Sequence, residues 1–131
     1  MNNIIVFRRS GGFYICFDND AIIMNYLCNY KISNGKVGFP VNAINKVINI
    51  LDSNSINYVI KDNTEDKEKK IFGKKNKYKY YLEKGIDKID IDKRINKIMN
   101  KINNLSMNKL NSLLDIIEIY INEWFYDNEK Y

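Results

Sequence analysis

The stretch IIVFRRSGGFYICFDNDA, residues 4–21, decides the reading of the chain. Ile4, Ile5, Val6 and Phe7 make a β-branched and aromatic run that ends at Arg8, Arg9, Ser10 and the pair Gly11 and Gly12. A strand closing in a tight turn is expected there. Phe13 to Phe17 repeats the strand signal beyond the glycines, so the two segments predict a hairpin. Asp18 and Asp20 follow at once as the acids that start or cap a helix, and Ala21, Ile22, Met24, Leu27 and Cys28 carry its apolar face.

Outward from this stretch the pattern continues. Tyr30 to Ile32 predicts a short strand broken by Ser33, Asn34 and Gly35. Pro40, the single proline, stands just ahead of an amphipathic helix marked by Ala43, Ile44, Val47, Ile48 and Leu51. Ile56 and Tyr58 to Ile60 supply another strand. The order β-β-α-β-α-β implies an α/β (α+β) fold with a small mixed sheet and packed helices. Residues 1–62 are expected to form this unit, and 63–131 a basic connector with two C-terminal helices, all in one cooperative domain. Residues 62–68 read as a solvated loop, and 77–84 fits either strand or helix. Further on, Ile91, Ile95, Ile98, Met99 and Ile102 repeat on one helical face. Ser106 is the expected N-cap of a last helix whose apolar stripe, Leu110 to Phe125, spans about half its circumference.

Charge is localised. The chain has 21 basic and 16 acidic side chains, net +5, but residues 61–101 alone carry fourteen against eight. Within them Lys69, Lys70, Lys74, Lys75, Lys77 and Lys79 are interleaved with Phe72, Tyr78, Tyr80 and Tyr81, without one acid between 69 and 81. Lysines can displace counterions from a phosphate backbone and tyrosines can stack on bases, so this segment is a candidate nucleic-acid-binding site.

Composition also excludes. There is no histidine among the 131 residues, which removes Ser-His-Asp and Cys-His nucleophiles and histidine-based zinc sites. Cys16 and Cys28 form no C-x-x-C spacing and lack further zinc ligands, so reduced thiols in a cytoplasmic protein are expected. No G-x-x-x-x-G-K-[ST] loop is present. Asp18, Asp20, Asp62, Glu65 and Asp66 are better explained as helix-start acids and a solvated loop than as a Mg²⁺ cluster. The expectation is therefore no catalytic residue, no metal and no cofactor. The opening MNNIIVFRR puts its apolar run before its charges, the reverse of a signal peptide, and no apolar stretch is long enough to span a bilayer. The abundance of Ile, Asn and Lys reflects A/T-rich codons, as in a low-GC bacterium or phage.

Three segments taken together, GGFYICFDNDA (11–21), GFPVNA (38–43) and NYVIKD (57–62), resemble the N-terminal, mismatch-contacting domain of MutS-type DNA repair proteins. That family shows a Gly-Asp-Phe-Tyr-Glu-x-Phe turn and strand and a Gly-Ile-Pro-Tyr-His-Ala segment that opens a helix. The resemblance implies a mixed α/β domain in which Phe13 wedges into a minor groove at a weak base step, with Arg8 and Arg9 near phosphates. The chain departs from the pattern at Gly12 for the aspartate, Asn42 for the histidine and Ile15 for the glutamate that hydrogen-bonds a displaced base.

Two functional classes follow. One is a non-enzymatic module binding DNA or RNA through Arg8, Arg9, Phe13 and the 69–81 segment. The other is a small protein-binding regulator, such as a phage or mobile-element inhibitor of a host defence nucleoprotein, with Ile116, Ile117, Tyr120, Trp124 and Phe125 as its contact. The same helix could instead pair with its own copy in a homodimer. Neither class involves a membrane.

Overall fold

β1 (Ile5–Ser10) and β2 (Phe13–Phe17) form the antiparallel hairpin, with Ser10 opposite Phe13 across a two-residue turn. Gly11 sits at φ +62°, a left-handed conformation that side chains disfavour, which is why this turn carries glycine. The computed structural model describes residues 3–129. α1 (Asp18–Cys28) begins with no intervening loop and ends at Asn29, whose φ of 59° suits asparagine better than other side chains.

Residues 30–32 are not the expected strand. Tyr30 instead stacks on Phe39, ring centroids 5.5 Å apart and 11° from parallel. The strand lies further on as β3 (Lys36–Pro40), where Val37 and Phe39 alternate inward and Gly38 and Pro40 outward. A single 3₁₀ turn, Val41–Ala43, leads into α2 (Ile44–Ser53), followed by β4 (Tyr58–Asp62). Residues 62–68 are not the expected loop either, because β5 (Glu65–Lys70) returns antiparallel along β4 after a turn with Asn63 at φ 59°. All six β5 side chains are exposed, and a charged edge of this kind discourages pairing with a further strand. The sheet order is β3-β2-β1-β4-β5, with β1 and β4 parallel and the other neighbours antiparallel. This is the mixed sheet of an α+β fold.

One sheet face is covered. Ile5 and Phe7 of β1, Tyr14 and Cys16 of β2, Val37 and Phe39 of β3 and Tyr58 and Ile60 of β4 join Ala21, Ile23 and Met24 of α1 and Val47 and Leu51 of α2 in one buried cluster. Phe39 is central, touching Phe7 edge-on at 5.5 Å and Tyr14 at 6.1 Å as well as Tyr30.

The ambiguous 77–84 segment is helical, the start of α3 (Tyr78–Asn103). Asn76 anchors it: its carbonyl oxygen accepts from the backbone N–H of Asn57 and of Tyr78, and its amide donates to Asn3 O at 2.8 Å. α3 approaches α1 closely at Gly85, where an added Cβ would lie 2.6 Å from the Ile22 Cγ2 methyl and 3.1 Å from its carbonyl oxygen. Elsewhere in a helix Gly→Ala gains up to about 1 kcal/mol. Here overpacking of about 1–3 kcal/mol opposes that gain. Gly85→Ala is therefore expected to lower the midpoint of urea unfolding rather than raise it. An unchanged or higher midpoint would show that α1 and α3 do not meet there.

α4 (Met107–Glu129) follows, and Ser106 caps it as expected, its Oγ accepting from Lys109 N–H at 3.4 Å. The chain divides into two compact units, Met1–Asp90 and Ile91–Tyr131. No helix among the described residues is long and apolar enough to cross a membrane.

Candidate nucleic-acid interface

Strand alternation decides what the other sheet face presents. Because Tyr14 and Cys16 point into the core, Phe13, Ile15 and Phe17 point away from it. Cross-strand partners share a face, so the register assembles rows outward. Pro40, Phe13 and Ser10 form one row, Gly38, Ile15, Arg8, Lys61 and Asp66 the next. Beyond them Lys36 lies beside Phe17 and Lys69 beside Val59. Phe13 is 52% exposed and Phe17 47%, high for aromatic rings on a strand. Towards β4 the face closes, with Val6 half-buried and Val59 buried.

This register separates the two arginines. Arg8 is exposed on the outward face beside Ile15 and Lys61. Arg9 shares the opposite face with Tyr14, donates from Nε to Gly11 O at 3.1 Å and pairs with Asp62 at 3.7 Å. Arg9 therefore ties the turn to β4 and does not join Arg8 beside Phe13. Lys61 holds Asp66 at 2.8 Å, and that hydrogen bond keeps the Asp66 carboxyl below its ordinary range.

The 69–81 segment is not one patch. Lys69 is outward on β5, whereas Lys70 lies opposite Tyr58, with its Nζ 5.7 Å from the Phe72 ring. Lys74 and Lys75 are exposed on a 3₁₀ turn, Gly73–Lys75, and Lys77 and Lys79 are exposed at the α3 start. The tyrosines differ sharply. Tyr78 is only 6% exposed, with its hydroxyl donating to Asp20 Oδ1 at 2.5 Å, so its ring belongs to the core and not to a stacking surface. Tyr81 packs against Tyr26 and donates to Asn54 Oδ1 at 2.8 Å. Tyr80 is half-exposed, under the Lys84 ammonium at 5.5 Å. The basic aromatic pattern is thus partly the anchoring of α3, a role that residue types alone do not reveal.

Asp20 is a helix-start acid as expected, and it does more than that. It lies in the first turn of α1, but no side chain caps that helix. Its Oδ2 accepts Val6 N–H at 3.0 Å, replacing a strand partner where β2 has given way to α1, while Oδ1 holds Tyr78. Burial raises its carboxyl above the ordinary range despite both hydrogen bonds. Burial likewise pushes the Cys16 thiol up to about 12, which leaves it an unreactive core group. Among the described residues no three metal-ligating side chains cluster.

The chain combines a hairpin with an exposed Phe13, the mixed order β3-β2-β1-β4-β5 and a helix layer on one face. A family model for MutS domain I matches residues 1–101. The chain belongs to the MutS domain I family. No curated protein matches it. The MutS domain I match runs well past residue 62, through β5, the 3₁₀ turn and α3 as far as Lys101, so the family relationship covers more of the chain than the three quoted segments. Of the outward residues, Phe17, Lys36 and Lys61 are not singled out by the sequence, and Ile15 is marked there only as a departure from the family pattern. The parity of Tyr14 and Cys16 would have found Ile15 and Phe17, whereas Lys36 and Lys61 emerge only from register. On α4, Ile116, Tyr120, Trp124 and Phe125 are exposed and Ile117 is half-buried.

Proposed function

We propose that this MutS domain I chain is a non-enzymatic DNA-binding module whose outward sheet face docks on a duplex, with Phe13 as the wedge at a weak base step. Phe13 carries the reading: it is half-exposed at a glycine turn, on the face that bears Arg8, Lys36 and Lys69 and opposite the helix layer. An inserted ring offsets part of an unstacking cost of roughly a few kcal/mol. Beside it Ile15 occupies the place of the family's glutamate and can make apolar contact only. The module thus senses how readily a step opens rather than which base is displaced.

Arg8 and Lys36 supply phosphate contacts, each of which contributes about 0.9 to the salt slope on duplex DNA. Arg8→Ala and Lys36→Ala are expected to lower the slope of log K against log salt by about 1 each. Arg9→Ala, on the other face, leaves it unchanged. Anisotropy titrations at several salt concentrations test this, and a larger effect from Arg9 than from Arg8 would place binding on the wrong face.

A further inference from the structure

The Ile91–Tyr131 unit contains the distal part of α3 and all of α4, and none of its residues from 91 to 126 is buried. Thirteen large apolar side chains lie exposed there. At roughly 100 Å² apiece they leave on the order of 1,000 Å² of apolar surface in water, above the few hundred Å² of a typical monomer patch and the ~800 Å² that each partner contributes to a standard interface. Helices in proteins are stabilised chiefly by burying an apolar face, and among residues 91–126 none is fully buried. On α4 the exposed positions fall on both sides of the half-buried line Leu110, Leu113 and Ile117: Leu114, Ile121 and Phe125 on one side, Ile116 and Tyr120 on the other. A stripe that wide serves a helix with two helical neighbours, as in a four-helix bundle, and one chain supplies at most one.

Charge selects the occupant. Residues 91–103 carry four basic side chains and one acidic, whereas α4 carries one basic and five acidic. A two-fold axis can place the basic segment of each of two copies beside the acidic helix of the other, and the opposite charges of the two segments make that pairing self-complementary, as an isologous interface requires. A nucleic-acid occupant would be repelled by α4. Among the described residues no salt bridge already joins Arg94, Lys97 or Lys101 to Asp115 or Glu118. We infer that a second copy of this chain covers the face, the two copies forming a four-helix bundle from α4 and the distal part of α3.

Light scattering on the full chain at tens of micromolar tests the inference, with twice the 15.5 kDa chain mass expected. Ile121→Asp with Phe125→Asp is expected to give the monomer mass while the near-ultraviolet signal of the sheet core persists. Reversing Lys97 and Lys101 to glutamate is expected to weaken the dimer about tenfold, and mixing with a chain carrying Asp115→Lys and Glu118→Lys to restore association. A monomeric native chain would overturn the inference and leave the face to a protein of different sequence. So would a double-aspartate variant that stays dimeric, or charge-reversed chains that fail to associate when mixed.

Discussion

Phe13→Ala is expected to weaken binding to a duplex with one unpaired base by about ten- to a hundredfold, while its stability stays within about 0.5 kcal/mol of the native chain. The two halves of that expectation come from one observation. Phe13 lies outside the buried cluster and is half-exposed, so folding does not depend on its ring. Stacking on an exposed base is worth about 1–3 kcal/mol, and only an aromatic ring held at the surface can supply it. On a fully paired duplex the loss should be smaller, because inserting the ring there costs more unstacking. Phe17→Ala, further along the same face, serves as the comparison. If Phe13→Ala and Phe17→Ala weaken binding equally, the face is a sticky surface and Phe13 is not a wedge.

The second large effect concerns Asp20. Asp20→Ala is expected to destabilise the fold by about 2–4 kcal/mol, because the partly buried Val6 N–H and the Tyr78 hydroxyl both lose their acceptor. The side chain joins β1, α1 and α3, so its loss should also loosen the start of α3. Asp20→Asn should cost less, since its oxygen can accept from Val6 while its amide donates to the Tyr78 oxygen. The pH dependence has a definite sign. Burial raises the folded pKa of Asp20 above the unfolded value, so the folded state favours the proton. Stability from this group is fully present below the unfolded value of about 3.9 and is lost as pH rises through the folded one. Asp20→Asn removes that loss, so its difference from the native chain should shrink between pH 4 and pH 7. Urea unfolding at the two pH values measures this, and a difference that grows with pH would mean that Asp20 is not held above its ordinary range.

Both residues show how far the sequence could be read. The hairpin was legible because β-branched runs flank two glycines, and the β-α order because Val47 and Leu51 fall at helical spacing. Phe13 was legible only through the family pattern, yet its exposure follows from strand parity once Tyr14 and Cys16 are core. β5 was not legible, because EDKEKK has neither β propensity nor apolar alternation and is a strand only by pairing with β4. Tyr30 read as a strand start because its type suits strands, but its ring found a better place on Phe39. Asp20 was legible as a helix-start acid but not as the partner of Tyr78, whose ring reads as a stacking surface. They are 58 residues apart and meet through tertiary packing that no local pattern encodes. Arg8 and Arg9, adjacent in the chain, part to opposite faces because a strand alternates, so only Arg8 shares the outward face with Phe13.

On the proposed reading the outward sheet face recognises DNA by how easily a step opens. The most direct test is a titration of the native chain against two duplexes of one sequence, fully paired and with one unpaired base, at low and at physiological salt. Tighter binding to the unpaired-base duplex at both salt concentrations is expected, with both affinities falling as salt rises. Equal affinity for the two duplexes, or no binding to either at low salt, would contradict it.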